Sequence, residues 1–115
     1  FLGVSMNGEK FVELIKTESR DFTIDWALGN RSGVSAKVNT WLSNLPEEQK
    51  LLLKEVITEA LDTSIFQVLE IMDGVHSKNS TPIEASSSNE AICGKGMPQL
   101  HDLYANKIFF STICS

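Results

Sequence analysis

Cysteine is scarce in this chain: two among 115 residues, Cys93 and Cys114. They form no C-x-x-C pair and match no zinc-ligand spacing. A disulfide scaffold and a structural zinc site are therefore not what organises the fold. Two reduced thiols of a cytosolic protein fit this usage, and so does one bridge between them. Basic charge is also short, with 10 Lys and Arg against 15 Asp and Glu and a formal net charge of −5. A nucleic-acid binder that ignores sequence needs a basic surface to displace phosphate counterions, and adhesion to anionic lipid makes the same demand. Neither partner is expected. A helix-turn-helix fits the number of helices, but its recognition segment would have no basic residues. No apolar run approaches the ~20 residues that cross a bilayer, so no membrane span is expected.

Catalytic motifs are missing too. The chain has no G-x-S-x-G nucleophile elbow. Gly94-Lys95-Gly96 is a turn and lacks the spacing of a phosphate-binding loop. No repeat of fixed period is present, which excludes a solenoid.

The longest periodic stretch runs from Asn44 to Gly74. Asn44 is placed to cap a helix, with Glu47 three residues on able to reach back to it and Pro46 in the first turn. Leu52, Leu53, Val56, Ile57, Ala60 and Leu61 recur at helical spacing. Ile65, Leu69 and Met72 continue the stripe, which is expected to build the interior. The short oxygen side chains of Asp62-Thr63-Ser64 compete for backbone amides, so two helices, or one kinked near 62–64, are expected. Gly74 ends the run as a left-handed cap.

The flanks are simpler. Phe11, Val12, Leu14 and Ile15 mark a short amphipathic helix. Ser19-Arg20-Asp21 reads as a break or a recap, and Phe22 and Trp26, with Ile24 and Leu28, mark a second short helix stopped by Gly29-Asn30. Val34, Val38, Trp41, Leu42 and Leu45 mark a third, capped by Ser32 or Ser35. Beyond Gly74 the texture turns polar. Two short apolar pieces, 82–85 and 91–93, suit a hairpin around the intervening serines or a loop draped over the helices. Pro98, Leu100, Leu103 and Tyr104 suggest a last helix of about two turns. The triplet Ile108-Phe109-Phe110 must be buried somewhere, as a final strand, a helix extension or part of a dimer surface. Met6-Asn7-Gly8 reads as a natural beginning, so residues 1–5 are expected to be a non-native leader.

The candidate functional residues follow from this layout. Trp26 and Trp41 each sit in an apolar stripe, so core packing is expected, with a partly exposed binding anchor as the alternative. Both histidines stand near acids close to helix ends: His76 three residues after Asp73, and His101 beside Asp102, with Tyr104 close by. Two ligands are too few for zinc, and no metal or other cofactor is expected. The paired carboxylates Glu47-Glu48 and Glu55/Glu59 read as a solvated helix face.

The stretches WLSNLPEEQK (41–50), ALDTSIFQVLEIMDG (60–74) and LHDLY (100–104) resemble a group of small, uncharacterised bacterial proteins found in mobile gene cassettes and genomic islands. The resemblance covers residues 8–105. It implies no activity and carries over no catalytic residue.

The expectation is a mainly α (at most α+β) single domain of four to five helices, with a small hairpin near 81–94. Its function would be non-enzymatic and by contact: an accessory or immunity-like module engaging a protein partner or itself as a homodimer, in the cytoplasm. The alternative is a small-molecule-binding protein or small enzyme with a pocket near Asp73, His76, His101 and Asp102.

Overall fold

The structure, a computed structural model, describes residues 6–110. The leader expected over residues 1–5, and Cys114 with its bridge, lie outside the described residues. Within them the chain is mostly helical, and the helical residues run as four continuous rods. The first begins as α1 (Gly8–Leu14), passes through a π-helical stretch at Ile15–Asp21 and ends as α2 (Phe22–Ala27). The second is α3 (Ala36–Ser43) and the third α4 (Glu47–Asp73). A two-stranded antiparallel hairpin follows, β1 (Ala85–Ser87) with β2 (Glu90–Cys93). The last rod is α5 (Leu100–Ala105), extended by a π-helical turn at Asn106–Phe110.

The expected break at Ser19-Arg20-Asp21 is not made. The backbone widens instead, and the Phe22 amide bonds the Thr17 carbonyl five residues back. Such a stretch absorbs residues that would otherwise spoil the phase of a helix. Val12 and Ile24 are twelve residues apart, about a third of a turn out of step in an ideal α-helix. Wider winding reduces that mismatch, and both residues are buried.

α4 runs unbroken for 27 residues, against the expectation of two helices or a kink. Asp62 leaves the local backbone alone because distant partners take up its carboxylate, as described below. Asn44 is likewise not the cap of α4. It closes α3, its side-chain amide donating to the Thr40 carbonyl at 3.0 Å. Pro46 stands at the start of α4, and its carbonyl accepts from the Gln49 and Lys50 amides. Ser35 caps α3 through the Val38 amide, and Gly29, at φ 82°, terminates α2.

Gly74 has φ 74°, and a Cβ there would lie 2.4 Å from the Pro82 nitrogen. Only glycine lets the returning loop press this close to the helix end. The orphan carbonyls of α4 are then satisfied. The Val75 amide bonds Glu70, the Asn79 side-chain amide bonds Ile71 at 2.7 Å, and the Ile83 amide bonds Met72 at 2.8 Å. The hairpin turns at Ser88-Asn89, where both residues have positive φ, the requirement of a tight two-residue turn.

Val12, Leu69, Cys93, Leu100, Tyr104 and Ile108 form the core, where α1, the C-terminal half of α4, the hairpin and α5 meet. Each large aliphatic side chain fully buried here stabilises the fold by roughly 1.5–3 kcal/mol. Phe66 meets the Tyr104 ring edge-on at 5.3 Å between centroids. The Ile108-Phe109-Phe110 triplet is a helix extension, with Ile108 buried and Phe109 exposed. The expectation that the apolar stripe of α4 builds the interior holds only for its C-terminal half. Leu52 and Val56 are each 61 % exposed and face outward. No helix among the described residues is long and apolar enough to cross a membrane.

Candidate functional site

Two polar centres and one apolar face stand out. The first centre joins three rods. Arg20, in the π-helical stretch, grips Asp62 of α4 with two nitrogens, Nε to Oδ1 at 2.7 Å and Nη2 to Oδ2 at 3.2 Å. The Tyr104 hydroxyl of α5 donates to the same Oδ1 at 2.6 Å. Arg20 also bonds Asp21 at 2.8 Å, and Lys16 pairs with the other Asp21 oxygen at 3.0 Å. The hydrogen bond to Asp62 holds the Arg20 guanidinium above its ordinary value. Burial, and then the hydrogen bond to Asp62, raise the Tyr104 phenol well above its ordinary value. This chemistry keeps the phenol protonated and the guanidinium charged, which serves a structural clasp rather than proton transfer.

None of that was read from the sequence, where Asp62 was a capping residue and Arg20 part of a break. A signal was present. Arg20 is eight residues from Val12 and four from Ile24, and Asp62 is seven from Leu69. Charged residues at the phase of a buried stripe must find each other, because an unpaired buried charge is costly.

The second centre joins the C-terminus of α4 to the N-terminus of α5. Asp73 is buried, and its two oxygens accept from the Leu100 amide at 2.8 Å and the His101 amide at 2.9 Å. The carboxylate thus supplies the cap that α5 lacks from Gln99, with its charge at the positive end of that helix. His101 Nδ1 lies 2.6 Å from Asp73 Oδ2, and His101 Nε2 lies 3.4 Å from the exposed Asp102. Donation from Nδ1 to the carboxylate fixes the ring and leaves Nε2 as the outward nitrogen. His76 belongs to a separate turn, where its Nδ1 accepts from the Lys78 amide at 3.0 Å and its backbone bridges to Asn79. The structure therefore gathers Asp73, His101 and Asp102, and gives His76 to the loop after α4. Tyr104 is fully buried and belongs to the core and the first centre. Cys93 is free and buried, its thiol raised by that burial and donating to the Ile83 carbonyl at 3.3 Å. A thiol held protonated is a weak nucleophile. Among the described residues, no group of three or more His, Cys, Asp and Glu side chains is arranged to hold a metal ion.

The apolar face is the third feature. The two tryptophans, expected in the core, are both largely outside it. Trp41 is 52 % exposed on α3, and Trp26 is partly exposed on α2, its ring beneath the loop at Gly33. Phe22 is covered on one side by the Arg31 guanidinium, 4.4 Å above its ring. On α4, Leu52, Val56, Ala60, Ser64 and Val68 form one i+4 ridge, all of it exposed. From Glu59 to Ile71 the outer surface is open, belongs to α4 alone and is largely polar, with Glu59, Thr63, Ser64 and Gln67 beside Ala60, Val68 and Ile71. No protein-family model, no curated protein and no solved structure matches this chain.

Proposed function

We propose that this protein is a non-enzymatic protein-interaction module of the accessory or immunity-like kind, working through the apolar residues it displays on α3 and α4. The observation that carries this reading is the outward ridge of α4, where Leu52, Val56 and Val68 are each more than half exposed. Single exposed leucines are ordinary, but several large apolar side chains left outside along one helix are the kind of surface that another molecule covers. Trp41 extends the same character onto α3, as an aromatic side chain of the type that anchors interfaces. The polar centres support the reading from the other side. Asp62, Asp73, Arg20 and Tyr104 spend their polar atoms on holding helices together, which leaves them committed to architecture.

Site-specific photo-crosslinking tests it. A photoreactive residue is placed at Trp41, Leu52 or Val56, with Glu13 and Lys78 as polar controls, and the protein is illuminated in the producing cell. Crosslinked protein adducts are expected from the apolar positions and not from the controls. Adducts from none of the apolar positions would overturn the reading.

A further inference from the structure

We infer that the pocket between the first turn of α1, β2 and α5 is a binding site for one small uncharged aromatic ring, apart from the outward surface of α3 and α4. The pocket measures about 200 Å³, is half-enclosed and is largely apolar. Gly8 comes from α1, Ala91 and Ile92 from β2 and Leu103 from α5, and Met97 and Pro98 of the connecting loop complete the wall. The space exists because some of these residues are short. Gly8 brings α1 so near β2 that an added Cβ would lie 2.7 Å from the Ile92 carbonyl oxygen, and 3.4 and 3.5 Å from the Leu100 and Leu103 side chains. Only glycine is accommodated there, so α1 cannot fill the pocket from that position. Ala91 offers a single methyl group. The surrounding elements also supply the core residues Val12, Cys93, Leu100 and Tyr104, so the walls are anchored from behind.

The lining selects the occupant. Ordered water needs several polar partners, and this pocket has few to give. The polar side chains that line it belong to Asn7 and Glu9, both exposed. The Asn7 side-chain oxygen accepts from the Lys10 amide at 2.8 Å, and Glu9 pairs with Lys107 at 3.1 Å. An ion entering the pocket would shed its hydration without a compensating partner. Size narrows the class further. A cavity of about 150 Å³ lined by apolar side chains takes up benzene, so this one has room for a single ring with a short substituent. Two effects favour a ring over an alkyl chain of the same volume. The Met97 thioether makes favourable contacts with aromatic rings, and a rigid molecule entering a preformed pocket loses little freedom on binding.

The test uses the purified full chain, labelled with nitrogen-15, and toluene as the probe. Backbone amide signals of Gly8, Glu9, Ile92 and Leu103 are expected to shift saturably, with a dissociation constant of about 1 mM or tighter. Methylcyclohexane is expected to bind ~3-fold or more weakly, and benzoate to leave the signals in place. Ala91→Leu fills the pocket and is expected to weaken toluene binding ~10-fold or more. Met97→Asp gives a second measure, because Met97 lies in a loop and is already 38 % exposed. The charge it sets in the wall is expected to weaken toluene to the same degree, while circular dichroism stays helical. Toluene that moves no signal up to its solubility limit overturns the inference, as do shifts that gather on Trp41, Leu52 and Val56 instead. Binding that survives both substitutions overturns it too. Benzoate or methylcyclohexane bound as tightly as toluene would refute the class of ligand.

Discussion

At the level of single residues, Asp62 ties three helical rods together. It receives a two-pronged grip from Arg20 and a third bond from Tyr104. Asp62→Ala leaves a part-buried guanidinium with only Asp21 as its carboxylate, at a cost below the ~3–5 kcal/mol of breaking a fully buried pair. Chemical denaturation is expected to show a loss short of that range. Tyr104 sets a pH dependence. Its folded-state value lies above the ordinary tyrosine value of ~10, so the folded chain holds a proton that the unfolded chain gives up. The contribution is fully present below about pH 10 and is lost above it, at up to ~1.4 kcal/mol per pH unit. Cys93, raised by burial, adds a loss of the same sign beginning nearer the ordinary thiol value of ~8.5. Stability measured from pH 8 to 11 is expected to fall, and Tyr104→Phe is expected to flatten the part above pH 10.

At the level of elements, the decisive features are how helices stop. Ser35 and Gly74 were legible as punctuation because capping acts over three or four residues, and a sequence window contains all of it. Asn44 was misread because the same amide serves the end of one helix as readily as the start of the next. The hairpin was legible in outline, although a run of serines gives little strand propensity. It forms because Ser88 and Asn89 accept positive φ and because the backbone of Ile92 lies against α1, where a Cβ on Gly8 would fall 2.7 Å from its carbonyl oxygen. Gly74→Ala would force a side chain into both a left-handed backbone and the Pro82 ring. It is expected to cost more than the ~1 kcal/mol of an open left-handed glycine site, read as a lowered midpoint in thermal unfolding.

For the whole molecule, the distribution of burial predicts the distribution of stability. The core gathers α1, the C-terminal half of α4, the hairpin and α5, whereas α3 contributes Leu42 as its one buried residue. Native-state hydrogen exchange is expected to protect amides near Val12, Leu69 and Tyr104 most strongly and those of α3 and the first turns of α4 least, since local opening follows local burial. Uniform protection along α4 at low protein concentration would contradict this.

The mainly helical architecture followed from the residues by themselves, because helical periodicity and capping are short-range and survive without knowledge of neighbours. So did the lack of local catalytic motifs. Which face of α4 is inside did not follow. Its apolar residues surround more of the helix than one neighbour covers, and only the placement of α1 and α5 decides that Leu69 is buried while Leu52, Val56 and Val68 face out. The joining of Arg20 and Tyr104 to Asp62, and of Asp73 with His101, likewise arises between residues 28 to 42 positions apart. Charge pairing over such separations is set by how the rods cross, which no local pattern encodes.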